Sequence, residues 1–247
     1  MDYKIILYIF FGILPSLVWL SYYLRKDSHP EPKLMILKVF ILGFLITLPV
    51  FLVQIGLSAL LVEVKLPTFI ISILYWFFVI ALTEEFFKYL VVKKAIFKNS
   101  NLDEPLDIMI YMIIAALGFA ALENILYLFS PADNLSFNQV LNNTFMISFV
   151  RFIGATFLHT LASGTLGYFL VIESHQIKKS GWFSFLGLFL ASTLHGFYNF
   201  SIMTFKGTLQ VAVPITILVG LAIFVFWAFN RVKNMKSVVE VIKIKIK

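Results

Sequence analysis

Thr83-Glu84-Glu85-Phe86-Phe87-Lys88 puts three ionisable residues into five positions of a run, Phe69 to Val92, that otherwise has the composition of a membrane-spanning helix. An ionisable group in hydrocarbon costs from about 3 kcal/mol upward unless it is paired or faces water. The stretch therefore makes sense only inside a bundle of several helices that supply partners or a wet cavity. Glu84 and Lys88, four residues apart, share a face, so Lys88 is expected to neutralise Glu84 while Glu85, about 100° round the helix, points elsewhere. Two adjacent carboxylates in a low dielectric do not both ionise cheaply, the condition under which one serves as a general acid or base.

The rest of the chain fits an all-α bundle. Its 247 residues are 60% hydrophobic and only 13% charged, with mean hydropathy +0.93, which excludes an ordinary soluble domain. Seven apolar runs of spanning length are expected: Ile5 to Leu24, Leu34 to Leu61, Phe69 to Val92, Leu106 to Phe129, Phe145 to Ile172, Trp182 to Met203 and Gln210 to Phe229. Only Lys4 precedes the first run and no small-x-small site follows it before Arg25-Lys26, which argues against a cleaved leader. The connections from Lys93 to Pro105 and Ser130 to Thr144 are too short to fold alone, so residues 1–247 read as one transmembrane domain with a basic tail at 230–247.

Lysine and arginine concentrate on one side of this arrangement. Arg25, Lys26, Lys33, Lys93, Lys94, Lys98, Lys178, Lys179 and the tail lie there, against Lys4, Lys65 and Lys206 on the other. The positive-inside rule then puts the N-terminus outside and the C-terminus in the cytoplasm. The net charge of +7 is accounted for by topology rather than by a nucleic-acid face. The alternating end of the tail, from Val241, suits an anionic leaflet as well as it suits a solvated tail. Trp76, Trp182 and Trp227 sit near span ends, as interfacial anchors do.

The chemistry available is narrow. With no cysteine there is no thiolate nucleophile and no cysteine metal site. Polar residues within the spans are Glu84, Glu85 and Lys88, then Glu123, Arg151, His159 and His195, with Lys38 near a span end reading as a snorkelling residue. Counted along the helix axes, Glu84 and Glu85 lie about 12–14 Å above the basic face, the two histidines about 20 Å and Glu123 about 24 Å. A lone intramembrane Glu–Lys pair or histidine is often a structural clasp. Three glutamates and two histidines on four helices in one band point instead to a working site. Ala155, Ser163 and Gly167 form a small-residue stripe beside His159 where a neighbouring helix can approach.

Taken in order, Glu84-Glu85-x-x-Lys88, Phe119-x-x-x-Glu123-Asn124, the mid-helix His159 followed by Gly164 and Gly167, and His195-x-x-x-Asn199 resemble the PrsW family of intramembrane proteases. That family is similar to the wider membrane group containing the CAAX prenyl proteases and bacteriocin-immunity proteins. The resemblance covers about residues 78–200. The wider group usually ends the second motif in His, and Glu123 favours the PrsW branch. The resemblance implies a multi-pass protein of the bacterial or archaeal plasma membrane that cleaves a single-pass membrane protein, as in release of an anti-sigma factor.

Two mechanisms suit these residues. In the first, which needs no cofactor, Glu84 or Glu85 takes a proton from a water poised by one histidine, and the other imidazole with Asn199 stabilises the oxyanion. Lys88, Glu123, Asn124 and Arg151 support the site. In the second, Glu123, His159 and His195 hold zinc or another divalent metal and Glu85 is the base. The sequence leans to the first, because three widely separated ligands are weak evidence. A proton- or cation-coupled transporter, or a non-catalytic binding or immunity protein of the same fold, uses the same residue types.

Overall fold

The computed structural model describes residues 3–26, 29–97, 102, 104–129, 136–176 and 180–235. Helices α1 (Tyr3–Leu24) and α2 (Lys33–Val62) are followed by α3 (Thr68–Leu74), which runs through a π-helical segment, Tyr75–Leu82, into α4 (Thr83–Ala95). Then come α5 (Pro105–Leu128), α6 (Phe137–Ile153), α7 (Ala155–Ser174), α8 (Trp182–Thr204) and α9 (Thr208–Lys233). No strand occurs among the described residues. The helices make seven runs long and apolar enough to cross a membrane, in agreement with the expected all-α bundle. The tail beyond Met235, with its alternation from Val241, lies outside the described residues, and residues 230–233 complete α9.

Helix α5 is the axis of the bundle. Its sequence is apolar all round from Ile108 to Leu122, the pattern of a helix with no solvent or lipid face, and those residues are buried. Pro105 opens it at a position where a missing N–H costs nothing, and Asp107 accepts from the Glu104 amide at 2.7 Å. α1, α2, α4, α7 and α9 pack around it. By contrast, α2 turns Leu34, Leu37, Ile41, Leu45, Leu48, Leu52 and Ile55 outward as an apolar face.

Packing between helices in lipid rests on close approach rather than on expulsion of water. At the α2–α5 crossing Gly118 lies against the Phe40 carbonyl, and any Cβ there would overlap it. Gly118→Val is accordingly expected to destabilise the bundle by at least about 1–3 kcal/mol through overpacking, seen as a lower thermal midpoint in detergent.

Two features depart from the expected spans. The fifth run is longer than expected, Phe137–Ser174, with 38 residues. At 1.5 Å per residue that is about 57 Å, nearly twice a hydrocarbon core, and the run breaks at Gly154 (φ −104°, ψ −95°). Residues 137–144 are helical rather than loop because Ser136 and Gln139 form a reciprocal capping box. At the break the Phe152 carbonyl accepts from Trp19 Nε1 at 3.0 Å, so α1 braces it. The third run is not a uniform α-helix: the π segment widens it just before Thr83, whose hydroxyl donates back to the Val79 and Ile80 carbonyls at 2.6 and 2.9 Å. Wide turns of this kind occur often at functional sites.

Candidate active site

The π segment ends at Leu82, two residues before Glu84, and α8 packs against it at Gly196, where a Cβ would come within 2.9 Å of Phe77 Cα. That approach sets His195, the residue before Gly196, beside Glu85: His195 Nδ1 and Glu85 Oε1 are 2.9 Å apart. Helix α7 brings His159 and Ser163 to the same place from the other side, Ser163 Oγ donating to Glu85 Oε2 at 2.8 Å. Lys88 Nζ donates to Glu85 Oε1 at 2.8 Å and to His159 Nδ1 at 2.8 Å, above the Phe119 ring at 4.5 Å. Of the small stripe on α7, Gly167 admits α5, where a Cβ would meet Met109 Cα at 2.9 Å, while Ser163 bonds Glu85 and Ala155 lines a cavity beside His159.

Hydrogen-bond chemistry fixes how the two imidazoles face. An ammonium only donates, so His159 Nδ1 is the acceptor and its Nε2–H donates to Glu123 Oε2 at 2.9 Å. A carboxylate only accepts, so His195 Nδ1–H donates to Glu85 and its Nε2 carries the lone pair. Each histidine is thus oriented by a carboxylate and turns its basic nitrogen toward Glu84, with His159 Nδ1 and His195 Nε2 both 3.9 Å from Glu84 Oε2. That oxygen is buried and accepts no hydrogen bond, while Glu84 Oε1 accepts from Gln54 Nε2 at 3.2 Å. Glu84, His159 and His195 form the one cluster among the described residues suited to hold a metal ion, with ligand atoms within 4.8 Å of one another.

Behind His159 lies a second layer. Arg151, on the last turn of α6, reaches Glu123 Oε2 at 2.7 Å and Asn124 Oδ1 at 2.5 Å and covers the Tyr127 ring at 3.9 Å. Asn124 Nδ2 continues to Thr156 Oγ1 at 3.0 Å and to the Gly12 carbonyl at 3.2 Å, which ties α5 to both α7 and α1. A cavity of about 570 Å³ opens on this assembly, and its walls include Glu84, Glu123, Arg151, His159, His195 and Asn199. Trp76, expected as an interfacial anchor, also lies on that wall. Glu85 and Lys88 are fully buried behind it.

Three expectations from sequence change. Lys88 pairs with Glu84 Oε2 at 3.5 Å, as expected, but it also bonds Glu85 Oε1 more closely, at 2.8 Å, and reaches His159 Nδ1 at 2.8 Å. Glu85 is therefore not the free carboxylate: both its oxygens are bonded, and Glu84 is the one that faces the cavity. The metal-suited cluster contains Glu84 in the place expected for Glu123, whose Oε2 is engaged by Arg151 and by His159 Nε2. Glu84 and Glu123 both come within 3.9 Å of one imidazole, His159, despite the offset of about 10 Å counted between them, because counting along axes neglects tilt and side-chain reach. Gln54 on α2 was absent from the expected set. A lone glutamine among the leucines of a spanning run is the signal that marks it.

The chain is similar to known proteins over most of its length. The profile of a family described as PrsW family intramembrane metalloprotease matches residues 31–229. Among curated relatives, Protease PrsW of Oceanobacillus iheyensis is 34% identical over 210 residues, covering 84% of this chain and 88% of that protein. Protease PrsW of Geobacillus kaustophilus is 29% identical over 193 residues, 78% of each chain. Protease PrsW of Bacillus subtilis is 28% identical over 231 residues, 92% of this chain and 94% of the other. No solved structure matches.

Proposed function

This chain belongs to the PrsW family of intramembrane proteases and is a peptidase built on several membrane-spanning helices, and from that premise we propose that it hydrolyses a peptide bond of a single-pass membrane protein at the Glu84–His159–His195 cluster. The observation that carries the proposal is the buried Glu84 Oε2, which accepts no hydrogen bond and faces two carboxylate-oriented histidines at the wall of a cavity. A substrate of the anti-sigma-factor kind, a cell-membrane location and the N-outside orientation belong to the same proposal. The location is supported by the family and the seven apolar helices, and the orientation by the asymmetry of lysine and arginine.

The donor set fits a divalent metal. One carboxylate oxygen and two imidazole nitrogens make a frequent zinc set, and each histidine has the second-layer carboxylate that such ligands usually carry. Glu84, His159 and His195 would hold the ion. When bound, it would acidify water and polarise the scissile carbonyl. This reading replaces the metal-free preference, because Glu84 Oε2, which accepts no hydrogen bond, the free His195 Nε2 lone pair and His159 Nδ1, whose present donor is Lys88, converge on one point.

The remaining steps belong to the protein. The cavity admits an extended peptide and water to Glu84. Without an ion, the carboxylate on the cavity wall that takes the proton from the attacking water is Glu84, because Glu123 Oε2 is held by both Arg151 and His159. If an ion occupies Glu84 Oε2, Glu123 is the remaining carboxylate on that wall. Asn199, also on the wall, can donate its amide to the developing oxyanion. Glu85 and Lys88 hold His195 and His159 in place and do not touch the substrate.

The test is reconstitution in liposomes with a panel of single-pass substrates. Cleavage is expected to be lost in His159→Ala and after exhaustive chelation, and to return on adding zinc. Full activity after chelation overturns the metal reading. Proton or cation flux without cutting overturns the protease assignment of this site.

A further inference from the structure

We propose that the groove between α1 and α9 binds one anionic phospholipid of the surrounding bilayer. It is a cavity of about 650 Å³, and it contains none of the residues of the Glu84–His159–His195 cluster. Its deep end is apolar: Trp19 stacks on Phe157 (ring centroids 4.3 Å apart, 9° between planes) and spends its only donor on the Phe152 carbonyl. Its outer end is cationic, with Arg25, Lys26 and Lys233. Apolar floor and cationic rim are separated as an acyl chain and its phosphate are. Trp19 and Lys26 lie seven residues apart, about 10 Å along α1, within the half-thickness of about 15 Å of a bilayer core.

The rim is arranged to receive an anion. Lys26 Nζ is held over the Tyr22 ring at 5.0 Å and the Phe226 ring at 5.9 Å, which keeps the ammonium at the groove. Arg25 uses Nε on the Ser21 carbonyl at 3.1 Å, leaving the terminal nitrogens of its guanidinium for a phosphate. Among the described residues no carboxylate pairs with Arg25, Lys26 or Lys233. The chain's own tail is a poor occupant, since Lys236, Lys243, Lys245 and Lys247 against Glu240 would bring more positive charge to a positive rim. In a bilayer an apolar groove gains nothing from one acyl chain over another. Selection therefore falls to the rim, and charge complementarity commits it to an anionic headgroup.

Native mass spectrometry of the full chain in detergent tests this with phosphatidylglycerol and phosphatidylcholine of the same acyl chains at equal concentration. The wild type is expected to retain phosphatidylglycerol about tenfold or more over phosphatidylcholine, given three cations that each favour an anionic lipid. The preference is expected to vanish in R25Q/K26Q/K233Q. Ala222→Trp, which fills the groove from α9 and keeps the rim, is expected to lower retention of phosphatidylglycerol by a similar factor. Thermal unfolding of both variants shows that they are folded. Equal retention of the two lipids by the wild type, or an unchanged preference in either variant, overturns the proposal.

Discussion

Glu84→Gln is expected to slow cleavage of a reconstituted single-pass substrate by about 10²–10⁴-fold, a loss as large as that of an acid–base group, because it removes the carboxylate of the proposed ion site, while leaving the thermal midpoint close to that of the wild type. The substitution removes the charge of a carboxylate whose Oε2 has no hydrogen bond to lose, and the amide still accepts from Gln54 at Oε1. Glu85→Gln behaves differently. Glu85 is the anion that balances Lys88 at 2.8 Å, orients His195 and accepts from Ser163. Removing its charge leaves a buried ammonium with Glu84 at 3.5 Å as its nearest counter-charge, and breaking a buried pair by one partner costs about 3–5 kcal/mol. Both variants lose activity, so the thermal midpoint is the discriminating measurement. A Glu84→Gln protein that unfolds early beside a Glu85→Gln protein as stable as the wild type would reverse the two roles assigned to this pair.

The same pair shows where a sequence stops being legible. The spans are readable because about 20 apolar residues in a row have few other uses, and the polar residues within them stand out by their cost. The fold then gathers Glu84, Glu85, Lys88, His159 and His195 from α4, α7 and α8. The partners of Lys88 were not all readable. Glu84 and Glu85 lie four and three residues before it on adjoining faces of one helix, and the lysine pairs with both while also reaching His159 on another. Nor was the π segment, since Tyr75-Trp76-Phe77-Phe78-Val79-Ile80-Ala81-Leu82 contains no proline or glycine to mark it. Gly154 was visible, but an isolated glycine in a helical pattern is usually tolerated. Only the length of the run from Phe137 to Ser174 requires a break.

Lys88→Met is expected to be among the most destabilising substitutions in the chain, at about 3–5 kcal/mol, a loss readable as a fall in the thermal midpoint in detergent. Lys88 is fully buried, and its ammonium is the cation within 3.5 Å of both Glu84 and Glu85. Without it two carboxylates face each other in a low-dielectric interior, and His159 Nδ1 loses its donor. Steric change is not the cause: methionine matches the lysine stem in length, and its sulfur can rest against the Phe119 ring that the ammonium now covers at 4.5 Å. The double variant Lys88→Met/Glu85→Gln separates charge from shape. It removes one cation and one anion together, so stability should return most of the way toward wild type, as neutral replacements of buried pairs do. Cleavage should not return with it. An amide at position 85 offers His195 Nδ1–H a weaker acceptor than a carboxylate, and His159 is released from the lysine. A double variant as unstable as Lys88→Met alone would mean that the lysine acts through packing, and that the charge balance assigned to Lys88 and Glu85 is not what holds the two histidines.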